Sequence, residues 1–210
     1  GIVGCSVAYH LAQKGVRDIV VLEQDRFPGP GGSTNHASDF IYPIDHSKVM
    51  TKLSVYGIDL YTRFGRFTDS GGLEVARTDE RLEELKRKVT SGNAWGVEAH
   101  VLGPEETADL FPFLDATRIK GAKYTPSAGL VSRSVDVAQE MLERAEQMGA
   151  ARLLANTPVT GIDVDRSRVR TVHTPRGAIQ TEIVISAAGV WGPLIGEMAG
   201  VPVPLTPAHH

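Results

Sequence analysis

The opening Gly1-Ile2-Val3-Gly4, read together with the acid Glu23, constrains this chain more than any other feature. Two glycines three residues apart run into Val7, Ala8, Leu11 and Ala12, whose helical spacing predicts a helix over residues 5–14. Gly15 then stands where a left-handed helix cap is wanted. Residues 18–23, Asp-Ile-Val-Val-Leu-Glu, read as a short buried parallel strand ended by an acid. The glycines match the last two of a Gly-x-Gly-x-x-Gly turn, which sets backbone N–H groups and a helix N-terminus against a pyrophosphate. An acid about 20 residues on is where a ribose hydroxyl pair is held. Gly1, Ile2, Val3, Gly4, Glu23 and the adjoining Gln24 are therefore candidates for binding an adenosine-type dinucleotide without a 2′-phosphate. The plainer alternative is a βαβ packing turn followed by a surface acid. The first glycine and its strand are expected ahead of residue 1, which makes the chain an internal piece of a longer protein.

Further along, residues 26–35 are rich in Gly, Pro, Ser and Thr and read as a loop. Residues 47–64 carry Val49, Met50, Leu53, Val55, Tyr56, Ile58, Leu60 and Tyr61, a pattern wide enough to predict a well-buried helix. Residues 71–76 alternate like a strand, and Thr78 is an N-cap for a surface helix with Leu82, Leu85 and Val89 on one face. Pro104 starts another helix, which breaks at Phe111-Pro112-Phe113. Residues 134–148 are helical again, capped by Gly149. Pro158 lacks an N–H for a ladder, so the next strand is expected from Val159 to Ile162. Residues 163–174 and 177–180 read as short strands around a turn, and 181–189 as an apolar strand ending in a Gly turn.

Composition narrows the partners. The formal charge of -3 comes from interleaved acids and bases, which argues against a nucleic-acid surface. A single cysteine excludes an internal disulfide or a cysteine-built metal site, and points to a reducing compartment: the cytoplasm, or the mitochondrial matrix in a eukaryote. Cys5 lies in the first turn of a helix, where a thiol pKa can fall, but a small packing residue is the favoured reading. The longest apolar runs fall far below the ~20 residues that span a bilayer, so no membrane partner is expected. His10, His46, His100 and His173 have no ligand-like spacing.

The most specific segment is Gly31-Gly32-Ser33-Thr34-Asn35-His36-Ala37. It resembles the Gly-Ser-Thr-x-His-Ala loop of the dimethylglycine and sarcosine dehydrogenase/oxidase family, within the D-amino-acid-oxidase-like flavoproteins. Similarity to that family also covers residues 1–23, 71–96 and 159–209, and is nearest to the bacterial dimethylglycine oxidase type. Asn35, Ser38 and Asp39 depart from its commoner choices, which bears on substrate and redox tuning more than on flavin attachment. The resemblance implies FAD bonded through a ring nitrogen of His36 to the flavin 8α carbon. Chemically this suits a neutral imidazole, which is nucleophilic near pH 7. A loop histidine that only hydrogen-bonds is the alternative.

The same resemblance implies cofactor contacts at Ser33, Thr34, Asn35 and Phe40, adenine contacts from the Val159 backbone, and close backbone approach at Gly189. Trp191 reads as packing. His209 aligns with a histidine on the substrate side of the flavin, a catalytic candidate, although His210 replaces the family's glutamine and a surface pair is equally open. The fold implied is α/β: a truncated, doubly wound Rossmann-like FAD-binding domain of residues 1–45 and 125–205, interrupted over 46–124 by a helix and part of an α+β substrate domain. The activity implied is oxidation of an N-methylated glycine by hydride transfer to flavin N5, with tetrahydrofolate a partner through a further domain. The rivals are oxidation of another amine or amino acid, and a non-catalytic regulatory relative.

Overall fold

A computed structural model describes residues 1–29 and 31–208. The elements in chain order are α1 (Ile2–Gln13), β1 (Ile19–Leu22), β2 (Phe40–Ile41), α2 (Lys48–Arg63), β3 (Phe67–Asp69), β4 (Gly72–Ala76), α3 (Asp79–Ala94), β5 (His100–Leu102) and α4 (Pro104–Leu110). They continue with β6 (Gly121–Thr125), β7 (Gly129–Val131), α5 (Ser134–Gln147), β8 (Ala151–Leu154), β9 (Gly161–Asp165), β10 (Arg168–Thr174), β11 (Gly177–Gln180) and α6 (Gly192–Met198). Two compact units emerge: Gly1–Ala37 joined with the chain from Ser134 on, and Ser38–Arg133.

In the first unit, β1 and β8 pair in parallel, with Ile19 opposite Ala151 and Leu22 opposite Leu154. α1 lies against α5, and Ala12, Ala145 and Ala150 form the contact. Small side chains let the two helix backbones come close, while Val137, Met141 and Leu142 of α5 fill the adjoining core. Gly15 follows α1 at φ +88, the left-handed cap that ends the helix and turns the chain into β1. β9, β10 and β11 form an antiparallel meander with a bulge between Val169 and Thr171.

Three expectations for this unit are corrected. The strand predicted from Val159 begins at Gly161, since only Thr160 N–H adds a further bond, to the His173 carbonyl at 2.9 Å. The run 163–174 divides at Arg166 and Ser167, whose φ values of 48 and 63 make the turn between β9 and β10. Residues 181–189 form no ladder. The Thr181 hydroxyl binds the Ile183 N–H and carbonyl locally, and Ile183 is 75% exposed, so extended backbone here has no neighbouring strand among the described residues. β8 was not foreseen.

The second unit carries two three-stranded antiparallel sheets, β2-β7-β3 and β4-β6-β5. α3 packs over the latter, burying Leu85 and Val89. Its first turn is closed by Thr78, whose hydroxyl accepts from the Arg81 N–H at 3.2 Å. The expected burial of the helix at 47–64 is a correction. α2 buries only Thr51 and Leu60, while Val49 and Leu53 are 66% and 58% exposed. Val49, Met50, Leu53 and Tyr56 share one face of the helix and remain exposed, while within its unit β3 is the strand it packs on.

Candidate functional site

The N-terminus of α1 is the centre of the site in the first unit. A helix leaves its first amides without carbonyl partners and carries partial positive charge there. The Cys5 N–H is the first to reach back, to the Gly1 carbonyl at 3.2 Å. Ile2 N–H instead donates to Thr34 Oγ1 at 2.9 Å, 32 residues along the chain. Bare backbone lets these pieces meet: a Cβ on Gly1 would lie 3.2 Å from Thr34 Oγ1, and one on Gly4 3.4 Å from the Ala187 Cβ. Val3, at the same helix end, is 63% exposed.

Glu23 follows β1 directly. Its N–H donates to the Leu154 carbonyl at 3.1 Å and its carbonyl accepts from Thr157 N–H at 2.8 Å. Oε1 accepts from the Asp25 N–H at 3.1 Å, and Oε2 lies 3.7 Å from the Gly1 nitrogen. The carboxylate is thus pinned at the strand end, beside the helix terminus. Gln24, next along, is exposed.

Ser33, Thr34, Asn35 and His36 form a single 3-10 turn, closed by Asn35 N–H donating to the Gly32 carbonyl at 3.0 Å. The turn packs against α5, and a Cβ on Gly32 would stand 3.9 Å from the Trp191 ring. His36 is exposed at its last residue, as are Ser33 and Asn35, while Thr34 is half-buried.

These groups fit a dinucleotide. A helix N-terminus cleared by glycine and a hydroxyl suit a pyrophosphate; a pinned carboxylate suits a ribose diol. Val159 is half-buried ahead of β9, and no hydrogen bond among the described residues engages its backbone. Gly189 sits at φ +56 with no atom of the described residues within 4 Å of a Cβ, so its conformation is what requires glycine here. Phe40 opens β2 in the second unit, opposite Leu130. His209 lies outside the described residues. Cys5 is 2% exposed, and burial pushes its thiol up, in keeping with the packing reading. Sequence reasoning missed Thr157, because its contact with Glu23 arises from a chain crossing that leaves no local signal.

The second unit holds a separate polar cluster. Lys123 on β6 is fully buried and ion-paired with Glu74 across the ladder on β4. Glu74 also meets Arg81 at 3.0 Å and Lys88 at 3.2 Å, both from α3. Burial pushes the Glu74 carboxyl up, but Lys123 and Lys88 outweigh it and hold it below the usual carboxylate range; burial also lowers the Lys123 ammonium against the pull of Glu74. Glu84, paired with Arg81 at 2.6 Å, borders a shallow cavity with His46, Arg87 and Trp95. Among the described residues no three acids, histidines or cysteines could hold a metal, and no helix is long and apolar enough to cross a membrane.

Known proteins bear on these observations. The chain is 37% identical over its whole length to mitochondrial sarcosine dehydrogenase of Homo sapiens, covering 24% of that protein. It is 32% identical to the mitochondrial pyruvate dehydrogenase phosphatase regulatory subunit of Mus musculus and 31% identical to mitochondrial dimethylglycine dehydrogenase of Rattus norvegicus. It is matched in full in each, and covers 24% and 25% of them. The chain therefore spans about a quarter of the length of these relatives. The crystal structure of L-proline dehydrogenase from P. horikoshii superposes with a TM-score of 0.88 at 28% identity, covering 96% of this chain and 54% of that one. With residues 1–210 matching the family described as FAD dependent oxidoreductase, and an α/β fold shared with its solved members, the chain belongs to that family.

Proposed function

We propose that this chain is the cofactor-binding part of an enzyme that oxidises an N-methylated glycine, of the sarcosine or dimethylglycine type, with FAD attached through His36. The observation that carries this reading is the meeting of the glycine turn, Glu23 and the Thr34 loop around one helix end, with His36 on the same turn as Thr34. The names of the relatives support the substrate class. FAD, when bound, supplies the acceptor for the hydride leaving the N-methyl carbon.

The chain's own share is binding and orientation. The α1 terminus and Thr34 hold the pyrophosphate, Glu23 the ribose, and the backbone about Val159 and Gly189 the adenine side and the crossing of the cofactor. Ser33, Asn35 and Phe40 complete the loop's contacts. The second unit begins the substrate region, and His209 belongs beside the amine. Tetrahydrofolate takes up the one-carbon product through a further domain. The protein works in the cytoplasm, or in the mitochondrial matrix of a eukaryote.

The test uses the full-length protein. Acid-precipitated wild type is expected to keep its yellow colour in the pellet, and a tryptic peptide containing His36 to carry the mass of FAD. His36→Ala should release the flavin on denaturation and lower turnover without abolishing it. Anaerobic sarcosine or dimethylglycine should bleach the flavin. Release of all FAD from wild type by acid removes the attachment; bleaching only by other amines changes the substrate. The 32% identity to a regulatory subunit favours a second reading, non-catalytic, which a colourless full-length protein would support.

A further inference from the structure

We infer that Thr34 is a positioning residue that ties the His36 turn to the first amide of α1, and so sets the imidazole for attachment in addition to its contact with FAD. This rests on the attachment reading above. Three observations carry it. The Ile2 N–H to Thr34 Oγ1 bond spans 32 residues and supplies α1 with the cap that Gly1, having no side chain, does not provide. A Cβ on Gly1 would crowd Thr34 Oγ1 at 3.2 Å, so the glycine keeps room for the tie. Thr34 and His36 share a single 3-10 turn, in which fixing one residue leaves the other little freedom.

A hydroxyl that accepts from a backbone amide keeps its own proton to donate. The tie therefore persists while Thr34 faces an anion. In attachment, the His36 ring nitrogen bonds the 8α carbon. The imidazole loses its N–H proton, the 8-methyl group loses another, and the two electrons left behind stay on the isoalloxazine until dissolved dioxygen removes them. Orientation of the imidazole is what the chain contributes, and misplacing a reacting group lowers the rate without weakening binding.

The experiment compares full-length wild type, Thr34→Val and Thr34→Ser, each prepared flavin-free. Amide exchange at Ile2 should quicken about five- to tenfold in Thr34→Val, the equivalent of one hydrogen bond, and return in Thr34→Ser. Covalent FAD incorporation is then followed against FAD concentration. Thr34→Val should lower the maximal rate by about five- to tenfold, besides raising the half-saturating concentration through the lost pyrophosphate contact, and Thr34→Ser should restore both. A raised half-saturating concentration with an unchanged maximal rate would overturn the inference in favour of a simple cofactor ligand. Unchanged exchange at Ile2, or a serine variant that behaves like valine, would overturn it too. Wild type that incorporates no FAD covalently brings down the attachment reading alone, and Ile2 exchange then decides whether the tie exists.

Discussion

Lys123 and Glu74 show how unequal the two halves of a buried ion pair can be. Glu74 has three cationic partners, Lys123, Arg81 and Lys88, whereas Glu74 is the one carboxylate paired with the fully buried Lys123 among the described residues. Removing the acid strands an ammonium in the core, which costs roughly 3–5 kcal/mol; removing the lysine leaves an acid that is still paired. Glu74→Gln is therefore expected to destabilise the second unit more than Lys123→Met, measured by chemical denaturation. Equal losses would mean that water reaches Lys123. At Glu23 the same reasoning concerns ligand affinity. The carboxylate is already fixed by the Asp25 N–H, so little ordering is needed to meet a ribose. Glu23→Ala in a His36→Ala background should weaken non-covalent FAD binding by roughly 1.5–3 kcal/mol, read by fluorescence titration. An unchanged affinity would return Glu23 to the role of a surface acid.

Among the elements, those whose ends are written in neighbouring residues were the ones the sequence made legible. Thr78 caps α3 through a bond three residues long, and Gly15 and Gly149 end α1 and α5 at positive φ. Thr78→Ala should cost about 1 kcal/mol, and Thr78→Ser almost nothing, in thermal or urea unfolding. A cost shared by serine would point to packing of the threonine methyl instead. Elements defined by their neighbours were illegible. β8, Ala-Arg-Leu-Leu, is too short and too poor in β-branched residues to announce itself, yet it pairs with β1 over four residues. β6 carries a lysine at its centre, the opposite of a core signal, because its partner is an acid on another strand. Residues 181–189 have the composition of a strand, but no ladder partner among the described residues. The candidate site divides the same way: the glycines, Glu23 and His36 stand in motifs, whereas Thr157 and the Thr34 tie depend on where the chain crosses itself.

At the scale of the whole chain, charge bears on where acid acts. The carboxyls of Glu74 and Glu84, both in the second unit, are held below their ordinary value. Glu84 is lowered first by its hydrogen bond from Arg81 but is too exposed to carry much stability. Glu74 is the group that matters, since its lysines prevail over its burial. A carboxyl whose folded pKa is depressed stabilises the fold fully above its unfolded value and loses that contribution as pH falls through the lower folded value. The contribution of Glu74 should accordingly fade as pH falls through the ordinary carboxylate range toward its lower folded value. In the full-length protein, the denaturation midpoint read from amide exchange in β4 and β6 of the second unit is expected to hold steady down to about pH 4.5 and then fall. Glu74→Gln should lower the midpoint at neutral pH and flatten that fall, because the group whose protonation drives it has gone. A fall of undiminished steepness in the Gln variant would assign the acid response to carboxyls elsewhere and leave the Glu74 network with no share in it.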